Sequence, residues 1–183
     1  MLSTTELLVE HIISGILSMV WILAIIFCFT GMDPSLFILI KDFWGLFAVV
    51  TTAIAYPIGI LVDTFADKLL EGWNEKIKKQ HNLPADFSLL NLLHEKNDPN
   101  ITSYFTYNRF KTRVARSSFI NFAMIGIAVG MFVLLQGPPL GMTQSGTISM
   151  VIFVTFILLS VMALLLWREI AKTVYEKCET VRA

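Results

Sequence analysis

FWGLFAVVTTAIAYPIGILVDTFADKLLEGWNEKIKK, residues 43–79, changes character at Val62. Up to that point the stretch holds no Asp, Glu, Lys, Arg or His. Beyond it, Phe65, Leu69, Trp73 and Ile77 recur every fourth position, with Asp63, Asp67, Glu71 and Glu75 on roughly the opposite face. A helix rises about 1.5 Å per residue, so about 20 apolar residues cross a hydrocarbon core about 30 Å thick. The expectation is one long helix, membrane-spanning in its first half and amphipathic in its second.

Three further runs meet the same length without a charge or a histidine: Ile12 to Thr30, Ser117 to Gln136 and Ile148 to Trp167. Gly31, Asp33 and Pro34 break the chain after the first, and Gly137, Pro138, Pro139 and Gly141 after the third. Spans one and two, and spans three and four, therefore read as tight hairpins. The fold class is all-α, a polytopic four-transmembrane-helix bundle. It divides into a first hairpin (1–62), a helical hairpin outside the membrane (63–116), a second membrane hairpin (117–167) and a tail (168–183).

Composition agrees. Of 183 residues, 55% are hydrophobic and 15% charged, with a mean hydropathy of +0.68, where a soluble domain carries about 25% charged residues. The zero net charge offers no basic excess, and no direct nucleic-acid binding is expected. The first residues contain Glu6 and Glu10 but no Lys or Arg, so the first run reads as a retained anchor and not a cleaved signal.

Orientation follows from the basic residues, which are retained in the cytosol near span ends. Nine lie between residues 63 and 116, four follow Trp167, and the opposite side keeps only Lys41. Both termini and the middle hairpin are expected in the cytosol, at the cell's inner membrane. The sequon Asn100-Ile101-Thr102 falls in that cytosolic part and reads as chance.

On the return side Tyr107, Phe110 and Val114 form an apolar stripe, with Arg109, Arg113 and Arg116 about a third of a turn away. Antiparallel extensions pair residues of constant number sum. Phe65 with Val114 and Leu69 with Phe110 fit one register, and so do Asp63 with Arg116, Asp67 with Arg113 and Glu71 with Arg109. Burying a large apolar side chain is worth about 1.5 to 3 kcal/mol and an exposed ion pair about 0 to 1. The apolar stripes are therefore expected to form the seam, leaving the acidic and basic faces to meet across subunits of a homo-oligomer, or simply to be solvated. Leu83 to Lys96 reads as a short amphipathic helix opened by Pro84 and Asp86, with Phe87, Leu90 and Leu93 on one side, followed by a turn at Asn97 to Asn100. It either exposes Leu89 and Leu92 for docking or folds back onto its own hairpin.

Within the spans, Ala55 and Gly59, and Gly126 and Gly130, stand at the spacing that lets helix backbones approach, most simply within one subunit. Pro57 removes a backbone hydrogen bond, and a kink or hinge is expected near Ala53 to Tyr56, where Thr51, Thr52 and Tyr56 offer partners for the freed carbonyl. Asn121 would seek a partner inside the bundle.

No catalytic, cofactor or metal site is readable. His11, His81 and His94 are scattered, Cys28 and Cys178 lie too far apart in character to pair, and Ser145 has no histidine or lysine partner in a span. Charge-free spans weigh against ion-coupled transport. The readings that remain are a non-enzymatic sensor or scaffold whose cytosolic hairpin recruits or regulates a soluble partner, and an oligomeric pore or membrane-disrupting effector. This layout resembles the small four-span membrane components of bacterial antiphage systems, such as that of Kiwa, which implies work alongside a soluble cytosolic protein. The resemblance is one of layout and assigns no residue a role.

Overall fold

The computed structural model describes residues 4–31, 41–81, 98–136 and 145–182, together with Leu83, Leu89 and Leu92. The described chain is all-helical: α1 (Thr4–Thr30), α2 (Trp44–Gln80), α3 (Pro99–Gln136) and α4 (Ser145–Arg182). Each is long and apolar enough to cross a membrane. At 37 or 38 residues apiece, α2, α3 and α4 measure about 55 Å, some 25 Å more than a hydrocarbon core requires.

Local chemistry sets the helix ends. Gly31 adopts φ 76° and returns its amide to the Phe27 carbonyl, closing α1 with the left-handed turn that glycine tolerates best. Asp98 caps α3: its side chain accepts the Asn100 amide at 2.8 Å, its carbonyl accepts the Thr102 amide at 2.9 Å, and Pro99 takes the first helical position. The expected turn at Asn97 to Asn100 is thus, at Asp98 and beyond, a helix start. Ser145 belongs to the first turn of α4 and not to the preceding loop. The breakers Asp33, Pro34, Gly137, Pro138, Pro139 and Gly141 lie outside the described residues, as do His94 and, from the tip, Pro84, Asp86, Phe87, Leu90 and Leu93.

The helices run up and down in turn. α1 and α2 are antiparallel, Gly15 lying against Ala55 and His11 against Gly59. α3 and α4 are antiparallel, with Gly126 beside Phe156 and Gly130 beside Phe153. α1 and α3 run parallel in contact, joined from Glu10–Arg113 to Cys28–Ala128. The extensive interfaces are α3 with α4, α1 with α2 and α1 with α3, whereas α2 meets α3 and α4 only sparsely. Through the apolar half the helices are therefore ordered α2, α1, α3, α4. At the other end α2 and α4 come together, where Tyr175 donates a hydrogen bond to Asn74 at 3.0 Å and Leu70, Ile77, Ala115, Trp167 and Ala171 share one core.

No helix breaks between its apolar and charged parts. Residues 168–182, expected as a tail, continue α4 and supply a third arm to the charged end. A second core there joins Leu83, Leu92, Phe105 and Cys178, with Leu89 and Tyr175 against it, so the tip leucines at 89 and 92 fold back onto their own extension. Burial pushes the Cys178 thiol up to about 11 and raises Tyr175 as well.

Candidate functional site

The apolar runs of α1, α2 and α3 end at one level, and the residues just past them form a charge clamp. α1 brings Glu10 and His11. It comes this close because Gly59 has no side chain where the His11 carbonyl packs, and the His11 ring stands edge-on to Tyr56 at 5.9 Å. α2 supplies Asp63 and Asp67, and α3 supplies Arg113 and Arg116 one turn apart.

Asp63, 7% exposed, is held by both arginines. Arg113 donates to Oδ2 through Nη2 at 2.9 Å and Nε at 3.1 Å, and Arg116 donates to Oδ1 through Nη2 at 2.7 Å. Arg116 Nη1 also pairs with Asp67, whose carboxylate reaches solvent. On its other side Arg113 Nε lies 3.4 Å from Oε1 of Glu10, itself 5% exposed, and Nη2 lies 3.2 Å from His11 Nε2. A guanidinium only donates, so His11 accepts through Nε2 and carries its proton on Nδ1. Two buried carboxylates thus face two guanidiniums. Glu10 Oε2 and Arg116 Nε are buried without a hydrogen-bond partner among the described residues.

Such a cluster does not stabilise a fold cheaply, because four charges leave water. What it provides is specificity: removing one member strands its partner in a dry site, at a cost of about 3 to 5 kcal/mol. The clamp therefore fixes the heights of α1, α2 and α3 relative to one another at the edge of the apolar zone.

A polar hub lies about two turns further along α3. Asn121, fully buried, accepts from Ser18 Oγ at 2.8 Å and Trp21 Nε1 at 3.1 Å, and donates to the Ser14 carbonyl at 3.1 Å. Ser160 of α4 donates to the Phe119 carbonyl at 2.9 Å. These bonds lock α1 and α4 to opposite sides of α3.

Several expectations need correction. Asp63, Asp67, Arg113 and Arg116, offered by the sequence to a neighbouring subunit, pair with one another within the chain. Glu71 and Arg109 are exposed and form no ion pair with each other among the described residues. Of the apolar stripe on α2 only Ile77 is buried in the seam, whereas Phe65, Leu69 and Trp73 are 59%, 56% and 49% exposed. Ala66 on α2 and Ala115 on α3 are buried, Ala115 in the core that holds Leu70, Ile77, Trp167 and Ala171. The helix α2 includes Pro57, where the sequence places a kink or hinge, and Thr52 one turn before it donates to the Ala48 carbonyl.

Ala55 and Gly59 form the α1 contact, and Gly126 and Gly130 the α4 contact, all within the chain. Among the described residues no three His, Cys, Asp or Glu side chains gather as metal ligands, and Cys28 and Cys178 are buried and form no disulfide with each other. The α1 contributions, Glu10, His11, Ser14, Ser18 and Trp21, were missed from sequence. Their signal was present in the spacing of Ser14, Ser18 and Trp21, which share one helical face.

No protein-family model, curated protein or solved structure matches this chain. The geometry alone carries the functional argument.

Proposed function

We propose that the chain is a non-enzymatic integral membrane scaffold or sensor, homo-oligomeric, at the cell's inner membrane. Its charged helical extension and both termini face the cytosol and engage a soluble partner. One observation carries the reading: the clamp of Glu10, Asp63, Arg113 and Arg116 ties three helices at the edge of the apolar zone. From that level α2, α3 and α4 continue as a packed arm about 25 Å long. A displacement of α1 against α2 in the bilayer reaches the arm through these ion pairs. The lopsided basic residues support the cytosolic placement.

The test is site-specific photo-crosslinking in cells from the exposed Lys79 and Glu176, near the end of the arm. The reading expects one soluble protein captured from both positions, with capture lost in Asp63→Asn. Absence of any soluble adduct, together with ion flux from liposomes holding the purified chain, would favour a pore. The Kiwa-type layout makes survival under phage challenge the physiological readout for a defence role.

A further inference from the structure

The two buried carboxylates of the clamp are not held alike. Asp63 accepts three hydrogen bonds from Arg113 and Arg116. Glu10, 5% exposed, faces Arg113 Nε at 3.4 Å through Oε1, and its Oε2 is buried with no hydrogen-bond partner among the described residues. The Nε proton that could serve Glu10 already goes to Asp63, at 3.1 Å.

Charge gives the second argument. Arg113 and Arg116 bring two positive charges, and the carboxylates they bond directly, Asp63 and Asp67, bring two negative ones. His11 accepts from Arg113 and is therefore neutral. An ionised Glu10 is the surplus charge, in a place where burial disfavours the charged form. The groups acting on it are Arg113 and Arg116 of α3, Asp63 of α2 and its own neighbour His11, with Asp67 beyond Arg116 at solvent. Burial outweighs the attraction of Arg113 and, with Asp63 adding to it, lifts the Glu10 carboxyl above its ordinary value. At Asp63 burial acts the same way but is outweighed by the hydrogen bonds and charges of Arg116 and Arg113, which lower that carboxyl.

We propose that Glu10 is a proton-binding site: its carboxyl is neutral while α1 is docked against α2 and α3, and gives up the proton when α1 withdraws. The proton removes one of the four charges that docking would otherwise bury, and Oε1 still faces Arg113. Rising pH on the cytosolic side therefore weakens the docking of α1, by up to about tenfold per pH unit, the limit for one linked proton. The sign follows from the raised carboxyl: its contribution is complete below the value of a free glutamate and is lost as pH rises through the docked one. As a stimulus for the arm the proton rests on the sensor reading, whereas as a bound ligand it rests on the clamp alone.

The experiment is infrared difference spectroscopy of the full chain in membranes, between acidic and alkaline buffer, on the parent and on Glu10→Gln. Carboxyl-labelled glutamate separates Glu from Asp in the parent itself. The expected signal is a protonated-carboxyl C=O band that shifts with the label, persists to higher pH than a free glutamate allows, and is missing in Glu10→Gln. In mixed detergent the parent's unfolding midpoint should fall with rising pH by a step that Glu10→Gln removes, while the titrations of His11, Asp63 and Asp67 remain in both proteins. Absence of the band from the labelled parent would overturn the proposal. So would a Glu10→Gln variant less stable than the parent at every pH, the result that loss of an ion pair with Arg113 requires. If the band is present while no soluble adduct forms from Lys79 at any pH, the proton site stands and the scaffold reading fails.

Discussion

Asp63 and Arg113 lie 50 positions apart in the chain, and their Oδ2 and Nη2 atoms 2.9 Å apart in the fold. Around that pair Arg116, Glu10 and His11 close the remaining sides, so the end of the apolar zone is fixed by charge and not by side-chain bulk.

The two aspartates of α2 should therefore behave differently. Asp63→Asn leaves two guanidiniums short of a buried counter-charge and should cost about 3 to 5 kcal/mol. Asp67→Asn removes a solvent-facing partner of Arg116 and should cost less than about 1 kcal/mol. Unfolding midpoints in a mixed-detergent titration separate the two, and equal losses would contradict the burial difference.

Asn121→Leu keeps the branched shape and heavy-atom count but removes the acceptor for Ser18 and Trp21 and the donor to Ser14. It should lose about 1 to 3 kcal/mol. Ser160→Ala, which breaks one bond to a backbone carbonyl, should lose less. If the order were reversed by the same titration, Asn121 would not be what holds α1 to α3.

The glycines divide by what surrounds them. A Cβ at Gly59 would collide with the His11 carbonyl, so Gly59→Ala must push α1 from α2 and strain the clamp, at about 1 to 3 kcal/mol. At Gly126 the nearest atoms are side-chain carbons of Phe156 and Ile157, at 3.3 and 3.4 Å. Ile157 Cδ1 can rotate away and the Phe156 Cβ need give only a few tenths of an ångström, so Gly126→Ala should be the milder change. Thermal unfolding followed by helical circular dichroism gives the comparison.

Cys178 should report on the arm. Its thiol is buried and pushed up to about 11, so it should resist maleimide at pH 8 while the arm is packed and react when it opens. The sign follows from burial: the folded state disfavours the thiolate, so this contribution holds below the unfolded thiol's value and is lost as pH rises through the folded one. Mass spectrometry of the labelled chain should show little modification in the parent protein and more in Asp63→Asn. Rapid labelling of the parent would place Cys178 outside the core.

Much of the fold is legible in sequence because four uncharged runs of membrane-spanning length admit few other readings. The number-sum register also brought Asp63 to Arg116. It failed on which face is buried from Phe65 to Trp73, because side-chain area was weighed without the groups α1 adds at Glu10 and His11. The third arm was missed for a related reason. Trp167, Ala171, Tyr175 and Cys178 follow one helical face past the apolar run, but the four basic residues interleaved after Trp167 made the segment look like a solvated tail.

The most direct test of the clamp is a double-mutant cycle between Asp63→Asn and Arg113→Gln, read by unfolding in nanodiscs that hold one chain each. The account predicts that each single change costs about 3 kcal/mol or more and that the double costs well under their sum, with a coupling of about 1 to 3 kcal/mol that survives in the isolated chain. Strict additivity in single-chain nanodiscs, with coupling restored only where chains share a disc, would place these charges between subunits and contradict the clamp.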